Sequence, residues 1–146
     1  MIAYRFTQNY DDASDIRQEV FVRAWKNISH LKDESKAGSW IISITYNYCK
    51  NFYRNKKDFT PLSENYSGET KEIRGNESSM VADALALLPA NQRMAIILLE
   101  YENKSYKEIA ESLNTNISSV KSLIFRARGN LRNSLDKTKI HKHPEV

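Results

Sequence analysis

The sequence predicts an all-α protein made of two small helical domains joined by a flexible linker, the second carrying a helix-turn-helix. Three observations predict it. Only 4 Gly and 3 Pro in 146 residues leave few helix breakers. Apolar residues recur at helical spacing in two separate blocks. Between the blocks, residues 58–79 are polar, contain Pro61, Gly68 and Gly75, and show no sustained period, as a tether would. The expected parts are residues 1–57, the linker 58–79, residues 80–135 and a tail, 136–146.

In the first block, Ile16, Val20, Phe21, Ala24, Trp25 and Ile28 step by three and four, predicting a helix over 15–28. Phe21 is expected in the core, and Trp25 at least partly so. A polar stretch with Gly38 follows. A second helix is expected over about 40–54, rich in aromatics: Trp40, Tyr46, Tyr48, Phe52 and Tyr53. Of these, Trp40 and Tyr48 are assigned to the core, while Tyr46 and Tyr53 stay open. The lone Cys49 rules out an intrachain disulfide or a cysteine metal set and reads as a small buried hydrophobe.

In the second block, residues 81–88 read as a helix stopping before Pro89, followed by helices over 91–101, 105–113 and 117 to about 135, with fraying from Thr138. Ser105-Tyr-Lys-Glu108 has the capping-box form. Ala110 is small where another helix must come close, Asn114 suits a left-handed turn, and Asn116 suits an N-cap. Ile117, Val120, Ile124, Ala127, Leu131 and Leu135 form one inward stripe on the last helix. Ser118, Ser119, Ser122, Phe125 and Arg126 lie opposite it, with Lys121, Arg128 and Arg132 at the margins. Small hydroxyls near a helix start, followed by arginines, suit a helix laid in a DNA major groove. An amphipathic hairpin with a basic outer face is the plainer alternative; the fixed order of cap, small residue, turn Asn and basic helix favours DNA.

Charge is divided along the chain. Residues 31–57 hold six basic against two acidic groups and residues 118–142 seven against one, separated by an acidic stretch. Two basic blocks suggest two contacts with a polyanion. The longest apolar run, residues 94–99, is far too short for a bilayer, so no membrane insertion and an intracellular location are expected. His30, His141 and His143 are scattered or terminal, and no nucleophile–base pair or phosphate loop is evident, so neither an enzyme nor a cofactor is expected.

Leu87-Leu-Pro-Ala-Asn-Gln-Arg93, Ser105-Tyr-Lys-Glu-Ile-Ala-Glu-Ser-Leu113, Val120-Lys-Ser and Arg126-Ala-Arg128 resemble the −35 reading domain of bacterial sigma factors, most of all the extracytoplasmic-function (ECF) group. Asp12-Ala-Ser-Asp-Ile-Arg-Gln-Glu-Val-Phe-Val-Arg-Ala-Trp25 is similar to that family's polymerase-binding helix. Trp40-Ile-Ile-Ser-Ile-Thr-Tyr-Asn47, running on to Phe52-Tyr-Arg54, is similar to its −10 helix. The resemblance implies a bacterial, cytoplasmic protein, monomeric when free, whose partners are core RNA polymerase, promoter DNA and an anti-sigma factor. It implies polymerase contacts at Asp15, Gln18, Glu19, Val22 and Trp25. It implies −35 contacts at Ser118, Ser119, Lys121, Ser122, Phe125, Arg126 and Arg128, and −10 contacts at Lys36, Asn47, Lys50, Asn51, Arg54, Lys56 and Lys57. In the ECF group the loop here at about 31–39 captures a flipped base, making Asp33, Glu34, Ser35 and Lys36 the candidates. Opening without hydrolysis requires a surface that prefers single strand, which stacked aromatics and cations supply.

The sequence departs from the family pattern in places. The helix before Asp12 is short by two turns or more. Ala37 and Gly38 stand where an aromatic and a basic residue are usual, Asn51 where an acidic one is common, Thr115 at a usually apolar turn position, and Leu123 in place of a frequent arginine. Two other readings are a stand-alone helix-turn-helix regulator and a shortened sigma-like protein that binds only polymerase or an anti-sigma factor.

Overall fold

A computed structural model describes the backbone of residues 1–58 and 76–142 and the side chains of residues 1–55 and 80–137. Residues 59–75 of the expected linker therefore lie outside the described residues, as do the Lys56 and Lys57 side chains, whereas Asp58 and residues 76–79 are helical and not linker. Among the described residues there are seven helices and no strand: α1 (Ile2–Thr7), α2 (Tyr10–Asn27), α3 (Ala37–Asp58), α4 (Asn76–Ala86), α5 (Ala90–Ile96), α6 (Tyr106–Ser112) and α7 (Ile117–Lys142).

Local chemistry sets the breaks. Gln8 ends α1 in the left-handed region (φ 56°), its N–H donating to Tyr4 O at 2.7 Å. Asn9 then caps α2, accepting from Asp12 N at 3.0 Å. This helix starts at Tyr10, earlier than the apolar period suggests, because capping and not core contact decides where a helix begins. Short 3₁₀ turns, Ile28–His30 and Glu34–Lys36, lead into α3. Ala37 and Gly38 belong to that helix and not to the loop before it. Pro89 separates α4 from α5. After α5 the chain widens into one π turn, Ile97–Tyr101, closed by Glu102 N to Ile97 O at 3.2 Å. The last helix runs to Lys142, past the fraying expected from Thr138; no Gly or Pro interrupts residues 130–142.

Buried side chains form one continuous cluster. Ala3, Phe6, Ala13, Ile16, Val20, Ile42, Tyr46 and Cys49 of the first block merge with Leu85, Leu88, Met94, Ile97, Leu98, Ile109, Val120, Ile124 and Ala127 of the second. The two blocks thus share a seam. It is made by α1 packing on α4 and the π turn, and by α3 packing on α6 and α5. Arg93, 1% exposed, sits in it: its Nη1 donates to Phe6 O at 3.0 Å and its Nη2 to Ala86 O at 2.6 Å and Leu88 O at 2.9 Å.

Some inward assignments are overturned. Phe21 and Trp25 are 69% and 71% exposed, so neither is a core residue. On α2 the positions Ala13, Ile16 and Val20 alone fill the face turned to α1 and α3, which leaves the rest of the helix to solvent. Trp40 is only partly buried; Tyr48, also partly buried, does pack against the core as assigned, and Tyr46, left open from sequence, is buried. Ile117 is exposed at the first turn of α7, ahead of the point where the stripe meets the core.

Candidate nucleic-acid interface

The helix-turn-helix is built by side chains acting on backbone ends. Ser105 Oγ accepts from Glu108 N at 3.1 Å and donates to Glu108 Oε1 at 3.1 Å, so the Glu carboxylate meets the cap through the hydroxyl. Asn114 takes φ 52°, and Thr115 N reaches Ala110 O at 2.9 Å, closing the turn. Asn116 Oδ1 accepts from Ser119 N at 2.8 Å and starts α7. Ala110, Val120, Ile124 and Ala127 are buried between the two helices and the core. Buried side chains on one side fix which side is left outward.

That outward side carries Ser118, Lys121, Ser122, Phe125, Arg126 and Arg128, with Ser119 half-buried. Phe125 is 80% exposed, an unusual place for a phenyl ring without a partner. Arg128 donates to Glu100 Oε1 at 3.1 Å; both groups are half-exposed, so the pair is weak and a phosphate can replace the carboxylate. Leu123 lies between this face and the core. It is 9% exposed, at the edge of a cleft that Ser118, Ser122 and Arg126 line.

On α3 the expected −10 residues separate. Asn47, Asn51 and Arg54 are exposed, and Lys36 is exposed in the preceding turn. Lys50 is half-buried, its Nζ 4.6 Å from the centre of the Tyr46 ring. Burial pushes the Tyr46 hydroxyl pKa up. In the loop, Asp33 accepts from Ser35 N at 3.0 Å and Ser35 Oγ at 2.6 Å, and those bonds hold its carboxyl below the usual range. Asp33 and Ser35 are thereby occupied in shaping the turn, while Glu34 and Lys36 point to solvent.

Two clefts follow the seam. One, about 520 Å³, has Tyr46 and Lys50 of α3 on one wall and Ser118, Ser119, Ser122 and Arg126 of α7 on the other. The second, about 630 Å³, lies between the 30–43 segment, including Asp33, Lys36 and Trp40, and the turn residues Asn114 and Thr115. That the two basic surfaces meet is not legible from periodicity, which does not encode contacts between blocks.

Away from the seam, α2 shows Asp15, Gln18, Glu19, Phe21, Val22 and Trp25 to solvent together, with Ile28 of the following 3₁₀ turn beside them. The apolar members form a contiguous stripe at spacing of three and four, with a carboxamide and carboxylates beside it. No group of three or more His, Cys, Asp or Glu side chains that could hold a metal occurs among the described residues. No described helix is long and apolar enough to cross a membrane.

Residues 1–59 match the family model described as Sigma-70 region 2, and residues 78–131 match Sigma-70, region 4. The chain is 32% identical over 126 residues to RNA polymerase sigma factor SigZ of Bacillus subtilis, covering 84% of this chain and 72% of that protein. It is 31% identical over 141 residues to the ECF RNA polymerase sigma-E factor of Escherichia coli K12, covering 85% and 74%. Among solved structures it is similar to the sigma factor RpoE in complex with the anti-sigma factor NepR from Bartonella quintana, with TM-score 0.70, 25% identity and coverage of 92% and 88%. It is also similar to CnrH in complex with the cytosolic domain of CnrY, with TM-score 0.70, 25% identity and coverage of 93% and 79%.

Proposed function

The chain belongs to the ECF group of RNA polymerase sigma factors, which direct core polymerase to promoters, and we propose that it divides this work among three surfaces. The exposed stripe of α2, with Gln18, Val22 and Trp25 at its centre and Asp15 and Glu19 beside it, docks on core polymerase. The outward face of α7, from Ser118 to Arg128, reads the −35 element: hydroxyls and Arg126 reach base edges, Phe125 meets thymine methyls, and Lys121 meets phosphate. Lys36, Asn47, Lys50, Asn51 and Arg54, with Lys56 and Lys57 beyond them, hold the opened −10 strand. The domains are taken as residues 1–57 and 80–135, with a tether between them into which the ends of α3 and α4 extend, and a tail from 136 whose first part continues α7.

The observation that carries this reading is the state of α2. A helix that leaves Phe21 and Trp25 more than two-thirds exposed, while burying three smaller residues, is shaped for a partner. An anti-sigma factor joins polymerase as a partner, as in the two complexes to which the chain is similar. The protein acts in the bacterial cytoplasm, as a monomer when free, and promoter opening uses binding energy with no catalytic group of its own.

Reconstitution tests it. The purified chain is mixed with core polymerase and transcribed on sheared genomic DNA of its host, with start sites mapped. Discrete starts sharing a −35 and a −10 motif are expected. Co-purification without transcript would reduce the protein to a polymerase-binding module, and a duplex shift without polymerase would make it a stand-alone regulator.

A further inference from the structure

We infer that Glu100 is a built-in counterion for the recognition helix: its carboxylate stands on Arg128 where a DNA phosphate would, and so sets how tightly α7 grips any duplex. The inference rests on α7 being the −35 face. Two cations line one margin of that face. Lys121 and Arg128 are seven residues apart, about 10 Å along the helix and nearly in line, as a row following one DNA strand would be. Lys121 is exposed and makes no ion pair among the described residues. Arg128 differs. Its Nη2 lies 3.1 Å from Glu100 Oε1, and the two side chains are 54% and 53% exposed, so the guanidinium is open to DNA yet already neutralised.

The backbone puts the carboxylate there. In a regular α-helix Glu100 would share a face with Ile96 and Ile97, four and three residues before it, and both are buried. The single π turn over Ile97–Tyr101 adds a residue to that turn and swings Glu100 out of the core to the rim beside α7. A widened turn at this point gives an acidic side chain a cation to meet on the DNA-facing helix.

The consequence lies in the salt dependence of binding. A free cation that meets a phosphate releases a counterion from the DNA, and each such contact steepens the fall of log affinity with log salt by about 0.9. At Arg128 one ion pair replaces another. The phosphate takes the guanidinium from Glu100, the freed carboxylate is left beside it, and the cation shed by the DNA is taken up again there. Net release is close to zero, and little affinity is gained. Lys121 therefore contributes a full unit of slope and Arg128 almost none. Glu100 lowers the charge-driven affinity common to all sequences and leaves untouched the base contacts that rank them.

Holoenzymes are assembled from core polymerase and the full chain as wild type, Glu100→Gln, Arg128→Ala, the double variant and Lys121→Ala. Affinity for a promoter fragment carrying the motifs mapped above, and for a non-promoter duplex of equal length, is read by competition in fluorescence anisotropy from about 50 to about 200 mM KCl. Glu100→Gln should bind both duplexes about two- to fivefold more tightly at the lowest salt and steepen the slope by about one unit. Its urea midpoint should match that of wild type. On the Arg128→Ala background the same substitution should change neither affinity nor slope. An equal gain with and without Arg128 would be the general effect of removing a negative charge and overturns the inference, as does weaker binding by Glu100→Gln. Lys121→Ala keeps the two readings apart. A slope flattened by about one unit there, beside an unchanged Glu100→Gln, removes the counterion alone; an unaltered slope in Lys121→Ala takes α7 off the promoter-facing surface.

Discussion

The helices α2 and α7 make opposite use of apolar side chains. In α7, Val120, Leu123, Ile124 and Ala127 turn inward and are buried, and the outward face is hydroxyl, basic and one phenyl ring. In α2 the small or β-branched Ala13, Ile16 and Val20 are buried, while the largest apolar groups, Phe21 and Trp25, are left in solvent. One helix completes a core of its own molecule; the other lends part of its apolar surface to a second molecule. Amphipathic spacing is the same in both. What separates them is how many neighbours cover the helix: α7 is flanked by α4, α5 and α6, and α2 chiefly by α1 and α3.

The widest gap between the two helices should appear when one buried and one exposed apolar group are removed. Ile124→Ala deletes a side chain that is 1% exposed, and should lower stability by about 2–5 kcal/mol, read as a shift in the urea midpoint. Trp25→Ala should leave that midpoint within about 0.5 kcal/mol of wild type. An equal loss in both would mean that α2 is as much core as α7.

Binding reverses the ranking. Trp25→Ala should weaken core polymerase affinity by about 2 kcal/mol, close to thirtyfold, because exposed aromatics that become buried in a partner carry much of an interface's energy. Competition for core polymerase against a labelled wild-type chain measures it. Unchanged affinity would move the docking surface off α2.

A smaller effect is expected on the α7 face. Arg126→Ala should cost about 1–3 kcal/mol in −35-dependent transcription, or reduce the salt dependence of binding if the guanidinium meets phosphate instead. Full activity at all salt concentrations would mean that the outward face has been misassigned. Removing the Glu100 carboxylate should do less, since its pair with Arg128 is solvent-screened.

Sequence alone made the second half almost fully legible, because there the determinants are local. Ser105, Asn114 and Asn116 each act within four residues, and each has the role its spacing implies. In the first half, spacing identified α2 and α3 but assigned Phe21 and Trp25 inward, since a period marks a face without saying whether anything covers it. The same limit hid Leu123, whose burial depends on the third dimension of the hairpin. The seam was illegible for a related reason: Arg93 meets Phe6 across 87 positions, and no local pattern encodes a bond of that separation.

Cys49 gives the smallest effect and the sharpest check on whether the first half is packed as tightly as the second. It is fully buried on α3, and burial pushes its thiol up to about 12, with the Arg93 guanidinium opposing part of that rise. Two consequences follow from the sign of the shift. At pH 8 the native thiol is both covered and protonated, so a disulfide reagent should label it no faster than the protein opens, and denaturant should accelerate labelling sharply. Above the ordinary thiol value near 9, the unfolded chain releases its proton while the folded chain retains it, so stability should fall as pH rises from 9 toward 12. Comparing wild type with Cys49→Ala over that range isolates the thiol's share. Prompt labelling of the native protein at pH 8, with Ile124→Ala still strongly destabilising, would show the first half to be the looser body, and would place its rigidity in the polymerase complex.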